Sequence, residues 1–425
     1  MTNEAAREQF RSDLGPIQNH VLRCIRCGFC NAVCPTSNVD SAFRDSRTSR
    51  GRMILIQSMI QDVGDLDPYS PDLKGLVDLC YSCRRCTEVC PAGIPIPDLN
   101  SHARYAYLKR KGPTALTLGH RIFSNYGTFD RFASYVAPIA NWTLRRGIAR
   151  RVMEWTTHID ARANLPDFRS ESFESWFKKR PTASKQKKIV YFVDSYANYN
   201  APTVGKMLVA ILENLGYQVI VPPQKESGMP AVEYGLLDKA RTLAEYNLNH
   251  LAPYAQEGTK IVCTSLAAAY LLKEGYNSFM DDPNLPIVSK AVIDVAQFLY
   301  EEYEAGQLHF RVEPKMNAQY HVCCLSRTLG LIPVTTKLLR AAGIEPEVIE
   351  DCCGGAGVWG TFKENYIMSS EIAAKLSKRI ETETTVLTES ETCRLQIENH
   401  VKSTVRFPLE ILAPRVDGIE QHWLA

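Results

Sequence analysis

The sequence predicts an α+β chain, in which a helical N-terminal segment built on clustered cysteines precedes two tandem α/β units with parallel sheets. Three observations carry this. "CIRCGFCNAVCPT" (Cys24 to Thr36) recurs as "CYSCRRCTEVCPA" (Cys80 to Ala92), with four cysteines at matching intervals and a proline after each set. Strand–helix–strand patterning starts near residue 188. The same order starts again near Tyr320, now with cysteines at the strand ends.

Composition sets what the cysteines can mean. A chain of 425 residues can bury more than one core. Its 49 basic and 47 acidic residues leave a charge of +2, which gives no bias toward nucleic acid. No apolar run is long enough to span a membrane. The start "MTNEAAREQFRSDLG" carries acids and no apolar run, so it does not read as a secretory signal. Fourteen cysteines in a reducing compartment point to metal or redox chemistry rather than disulfides, and a cytoplasmic chain is expected.

Three thiolates at three-residue steps can wrap one iron–sulfur cube, and the fourth cysteine then points to the other cube. One [4Fe-4S] cluster is therefore assigned Cys24, Cys27, Cys30 and Cys90, and a second Cys80, Cys83, Cys86 and Cys34. Pro35 and Pro91 help to stop the chain from turning the fourth ligand back. Zinc also takes four thiolates, but usually as two separated pairs. Between the blocks, Met53, Ile54, Ile56, Met59 and Ile60 form a helical stripe. Arg50 and Arg52 read as a solvated first turn, with compensation of cluster charge as the second reading.

From Thr114 to Lys179 the pattern is helical. Phe132, Tyr135, Val136, Ile139, Trp142 and Leu144 lie beside Arg145, Arg146, Arg150 and Arg151, with Pro138 as an interruption. An ordinary core face is expected here, and a membrane-interface or partner helix is the alternative. The basic run "RPTASKQKK", 180–188, reads as a linker.

In the first α/β unit "KIVYFVDS" is a strand. "TVGKMLVAILENLG" is a helix with Val204, Met207, Leu208, Ile211, Leu212 and Leu215 on one face, and "YQVIV" is the next strand. The second unit repeats this as "YHVCCLS", "VTTKLLRAAG" and "EPEVIEDCCGGAG". Cys324, Cys352, Cys353 and Cys393 then meet at the strand ends, where open α/β sheets hold ligands, and a third iron–sulfur cluster is expected there. The corresponding places in the first unit hold Ser195, Glu226, Ser227 and Ala268, so that unit cannot hold a cluster by cysteine. Cys323 is expected to face away from Cys324, and Cys263 to pack as a small apolar residue. Ser390 stands where a fifth ligand would fall. Neither a G-x-G-x-x-G opening a helix nor a P-loop is present, so no flavin or nucleotide of its own is expected.

With "CGFCNAVCPT", "SRGRMILI", "CRRCTEVCPAGIPIPDL", "YANYNAP", "GYQVIVP", "DCCGGAGVWGTFKENY" and "ETCRLQIENH" in hand, the chain resembles a family. This family is the iron–sulfur subunits of membrane-associated flavin dehydrogenases, of the anaerobic glycerol-3-phosphate dehydrogenase and glycolate oxidase type. The resemblance implies a helical ferredoxin-like domain with two [4Fe-4S] clusters (1–112), a connector (113–187), a degenerate cysteine-rich CCG domain (188–312) and a complete one (313–425). It also implies an FAD-dependent dehydrogenase partner and electron transfer to a quinone at the inner face of the cytoplasmic membrane. Heterodisulfide reductases carry the same CCG domains with five cysteines each. Ser390 and a first unit without the matching ligand cysteines make catalysis at the C-terminal cluster the alternative, and a non-catalytic relay the expectation.

Overall fold

Thr48 and Ser70 start the helices that flank the cysteine blocks in the computed structural model, which describes residues 3–39, 44–181 and 185–419. Thr48 Oγ1 accepts from the Gly51 amide at 3.0 Å, and Ser70 Oγ from the Leu73 amide at 3.2 Å. Each satisfies a donor that the first turn leaves free. The helix Ser49–Ile60 buries Met53, Ile56, Met59 and Ile60 against Phe10 and Leu14 of Asn3–Leu14 and Leu99 and Ala103 of Ile96–Lys111.

Ile96–Lys111 is covered on almost every side, so its polar residues need partners. Arg104 supplies them. It pairs with Asp78 at 3.1 Å, donates to the Glu233 carbonyl at 2.7 Å, and donates to the carbonyls of Val77 and Cys80. One guanidinium thus ties the second cysteine block to the first α/β unit.

Each α/β unit is a four-stranded parallel sheet. In the first, β1 (Lys187–Phe192), β2 (Tyr217–Ile220), β3 (Ile261–Cys263) and β4 (Val292–Asp294) lie in the order β2-β1-β3-β4. In the second, β5 (Met316–His321), β6 (Ile344–Ile349), β7 (Thr385–Leu387) and β8 (Thr404–Arg406) lie in the order β6-β5-β7-β8. The orders are the same, as a duplicated unit requires. The helix Pro202–Asn214 buries Val204, Met207, Leu208, Ile211 and Leu212, while Leu215 falls just past its end as the cap. Apolar residues from both sheets form one continuous core, so the units are packed against each other. Cys263 is fully buried among apolar neighbours. Residues 182–184 of the basic linker lie outside the described residues.

The connector departs from the expected core face. Pro138 does not interrupt a helix but opens one, Ala137–Arg145, after the helix Tyr126–Tyr135. A proline at a first turn costs no hydrogen bond. Phe132, Tyr135, Ile139 and Trp142 are 67%, 73%, 66% and 56% exposed, and Ile148 and Trp155 of Gly147–Thr157 are 83% and 81% exposed. These side chains therefore form a surface rather than a core. Arg150 leaves the basic set: it is buried and donates to the carbonyls of Asp160 (2.9 Å) and Ala163 (2.6 Å).

Gly235 has φ +77°, and a Cβ there would lie 2.6 Å from the Tyr105 amide nitrogen. Gly216 has φ +85°, but a Cβ there meets nothing within 4 Å. Gly216→Ala should cost only the left-handed backbone, about 1 kcal/mol. Gly235→Ala adds a backbone clash and should cost at least about 2 kcal/mol. Denaturant unfolding under anaerobic conditions measures both, and equal losses would contradict the close packing of Gly235 on Arg104.

Candidate metal centres

Arg26 (φ 57°) and Gly28 (φ 86°) in the first cysteine block, and Ser82 (φ 57°) and Arg84 (φ 62°) in the second, take the left-handed conformation at equivalent places. These residues sit between successive cysteines and fold each block into a tight turn that converges its thiols. Arg84 stands where the first block has glycine, at a backbone cost of about 1–2 kcal/mol. Its side chain offsets that cost with a two-pronged pair to Asp98 (2.9 and 2.6 Å) and a stack over Tyr270.

The turns create two small cavities of 20 Å³ each. Cys24, Cys27, Cys30 and Cys90 line one, and Cys34, Cys80, Cys83 and Cys86 line the other. This is the crosswise three-plus-one grouping read from the spacing. Cys27 is exposed, with Leu22, Ile25 and Phe29 exposed near it, whereas Cys34, Cys80 and Cys86 are buried.

The donor set fits a cationic iron–sulfur group. Burial pushes the thiols of Cys30, Cys80 and Cys86 up, and neighbouring thiols push Cys30 and Cys86 further. Such a group of sulfurs ionises together only around positive charge, so metal binding has to release protons. Arg52 supplies part of that charge. It is 2% exposed, donates to the Arg47 carbonyl at 2.7 Å and reaches Cys34 Sγ at 3.6 Å, and its Nε has no protein partner. Burial works against its charge, but Cys80 and Cys34 more than compensate and raise its pKa. The solvated-turn reading fails for Arg52, because Ser49–Ile60 starts inside the protein. Ser49 Oγ, fully buried and without a strong partner, lies beside the thiols of Cys30 and Cys86, between the two cavities.

A third group of thiols gathers at the strand ends of the second sheet. Cys324 opens the short helix Cys324–Thr328 after β5, Cys352 and Cys353 follow β6, and Cys393 lies in the first turn of Glu391–His400 after β7. Cys353 Sγ is 3.3 Å from Cys393 Sγ. The Gly354 and Gly355 amides donate to Cys352 and Cys353 sulfurs, both at 3.4 Å. Gly354 has φ +79°, and a Cβ there would strike the Ser369 carbonyl at 2.3 Å. That explains "CCGGAG": only glycine fits the approach. Hydrogen bonds from Cys324 and Cys353 hold the Cys352 thiol well below its ordinary range.

The group touches the second cysteine block directly. Tyr81 Oη lies 3.4 Å from Cys352 Sγ, and the Cys324 thiol is within hydrogen-bonding reach of both Cys352 and Cys83. Trp359 Nε1 donates to the Asp78 carbonyl (2.8 Å) and Arg327 pairs with Glu88 (3.0 Å), which locks this junction.

Two residues go beyond the sequence reading. Strand alternation predicts that Cys323 faces away, but β5 ends at His321, so alternation no longer applies. Cys323 instead caps the helix Cys324–Thr328, is 3% exposed, and lines the same cavity as Cys324. His321 is the second, and sequence reasoning misses it. It is buried, burial lowers its pKa to about 4, and its ring nitrogen lies with Cys353 and Cys393 sulfurs in a set of ligand atoms all within 4.8 Å. Its place at the inner end of a strand, three residues before Cys324, is the available signal. Ser390 acquires a structural reason as the cap of Glu391–His400, accepting from the Cys393 amide at 3.4 Å.

The first unit has the same frame without thiols at the positions that match Cys324, Cys352, Cys353 and Cys393. Asp194 and Ser195 follow β1, and Asp194 accepts from Ser227 at 3.2 Å and from Tyr126 of the connector at 3.3 Å. Ala268 lies in the helix Leu266–Lys273 after β3.

Residues 20–94 match a 4Fe-4S dicluster domain, and residues 318–398 match a cysteine-rich domain. The C subunit of the anaerobic glycerol-3-phosphate dehydrogenase of Escherichia coli (strain K12) is 28% identical over 401 residues, covering 92% of this chain and 97% of that protein. The probable glycolate oxidase iron–sulfur subunit of Bacillus subtilis (strain 168) is 23% identical over 402 residues, 88% of each chain. Lactate utilization protein B of Bacillus pumilus is 30% identical over 179 residues, 39% of this chain and 35% of that protein. This is an iron–sulfur chain that joins a 4Fe-4S dicluster domain to a cysteine-rich domain and is homologous to the C subunit of anaerobic glycerol-3-phosphate dehydrogenase and to the glycolate oxidase iron–sulfur subunit.

Proposed function

We propose that this chain carries electrons from an FAD-dependent dehydrogenase partner to a quinone at a membrane surface, through two [4Fe-4S] clusters and a third iron–sulfur centre. The observation that supports this most is continuity. Cys24, Cys27, Cys30 and Cys90 lie at the outside, Cys34, Cys80, Cys83 and Cys86 lie behind them, and Cys83 reaches the third set through Cys324. Bound iron–sulfur clusters pass single electrons without making or breaking substrate bonds. Everything else falls to the protein. Cysteines fix the positions, Arg52 balances the second site's charge, the Gly354 and Gly355 amides serve the third, and burial keeps water out. The exposed end around Cys27, Ile25 and Phe29 is where the dehydrogenase partner docks. The absence of ligand cysteines at the strand ends of the first unit and the capping role of Ser390 favour a relay over disulfide chemistry.

The connector is the membrane-facing side. Ile139, Trp142, Ile148 and Trp155 project beside Arg145, Arg146 and Arg151, an arrangement suited to an anionic lipid interface. Among the described residues no helix is long and apolar enough to cross a membrane. Contact is therefore peripheral.

Three outcomes are expected. Anaerobically purified chain should carry about twelve irons, and Cys353→Ser about eight, with one paramagnetic signal lost; unchanged iron and spectra in the variant remove Cys353 from the third centre. Arg52→Gln should shift the potential of the second cluster downward by about 50 mV or more, because a buried positive charge favours the reduced form. Redox titration with electron paramagnetic resonance reads this, and an unmoved potential assigns Arg52 a purely structural role. Ile139→Asp with Trp142→Asp should weaken binding to phosphatidylglycerol vesicles at least tenfold in flotation assays. Equal flotation of variant and native chain would exclude this face.

A further inference from the structure

The third thiol group opens into a cavity of 230 Å³ that runs between the two α/β units and under the connector. Cys324, Cys352, Cys353 and Cys393 stand on one wall. Tyr126 and Asp130 of the connector and Asp194 past β1 also line the cavity. Leu165, Leu266, Ala267 and Tyr270 add apolar surface to the lining. An apolar cavity of about 150 Å³ holds benzene. An iron–sulfur group held by the four sulfurs would take the part of this space at the cysteines, leaving the part lined by Tyr126, Leu165, Leu266, Ala267 and Tyr270 for a ring.

We propose that this cavity is the quinone-reduction site, with the centre held by the second unit's cysteines supplying electrons and Asp130 and Asp194, from the connector and the first unit, supplying protons. The proposal rests on the relay reading above and adds where, and with which residues, the relay ends. Reducing one quinone converts two C=O groups to two C–OH groups and consumes two electrons and two protons. The partner's reduced flavin is the electron source, and iron–sulfur groups held by the three sets of cysteines would deliver its electrons one at a time. The Asp130 carboxyl gives one proton and Asp194 the other, and bulk water replaces both.

Three features support this assignment. Asp194 occupies the place that Cys323 holds in the second unit, so the duplicated frame aims a carboxyl, instead of a sulfur, at the same cavity. Burial pushes both carboxyls up, and they are crowded by acids and a phenol. Asp194 faces Tyr126, Asp130, Glu226, Ser227 and Glu391, and Lys239 lies beside Glu226. Carboxyls in such surroundings bind protons more readily than exposed ones and can give them up to a developing anion. Finally, the helix Tyr126–Tyr135 turns Tyr126 and Asp130 inward while Phe132 and Tyr135 point out, so one helix separates the cavity from the apolar outer face.

The test uses the complete complex with its flavoprotein, menadione as the quinone, and ferricyanide as a soluble one-electron acceptor. Ala267→Phe fills the cavity and should reduce menadione binding, measured by equilibrium dialysis, at least tenfold. Asp130→Asn should retain binding but lower menadione reduction at least tenfold. Both should keep native iron content and ferricyanide reduction. In the native complex an azido-naphthoquinone should label the segments 123–130, 164–166 or 266–271, a readout independent of any variant. Native menadione rates in both variants, or labelling confined to other segments, would overturn the proposal. A native complex that cannot reduce ferricyanide would overturn the relay reading and this site together.

Discussion

Sulfur anions cannot be crowded into a protein interior without compensation, and most of the structure answers that constraint. Two unit charges 4 Å apart interact by about 4 kcal/mol at an effective dielectric of 20. Burial alone already drives the thiols of Cys80 and Cys86 toward the neutral form. Compensation is built from several sources. Arg52 lies against Cys34 and near Cys80, Arg104 binds the Cys80 carbonyl, and glycine amides point at Cys352 and Cys353. Each arginine is held by carbonyls or carboxylates on its other side, so the positive charge stays where the sulfurs need it.

The same constraint explains why the modules are fused rather than merely linked. Tyr81 and Cys83 of the second block meet Cys352 and Cys324 of the second unit, which brings the sulfur groups close together. The pairs Trp359 with Asp78 and Arg327 with Glu88 fix that junction. Arg104 fixes the other side, through Glu233 of the first unit. The N-terminal segment therefore packs against both copies. Duplication gave the fold two equivalent pockets of strand ends. One kept thiols, and the other holds carboxyls and hydroxyls facing the same cavity.

Much of this is legible along the chain, because its signals are local. The two cysteine blocks, the parallel-sheet periodicity and the repeat of the α/β unit depend on residues close in sequence. Cys323 and the connector differ from expectation for physical reasons. Strand alternation does not extend two residues past His321, where the chain has already turned into a helix cap. The stripe Phe132–Trp142 has a core pattern, but the helices carrying it pack on the molecule only by their other face. His321 gives no signal by type alone, since a histidine in a strand is usually a satisfied core residue.

Which sulfurs group with which is written into the spacing, because the three-residue step and the following proline dictate local chain direction whatever surrounds them. The sheet class, and the copy that lacks the ligand cysteines, follow from local pattern in the same way. Three outcomes belong to the folded molecule alone: Arg52 points inward, the second block abuts the third thiol group, and an acid-lined cavity joins the two copies. Those outcomes depend on side chains far apart in sequence meeting in a low-dielectric interior, and no local pattern encodes such a meeting.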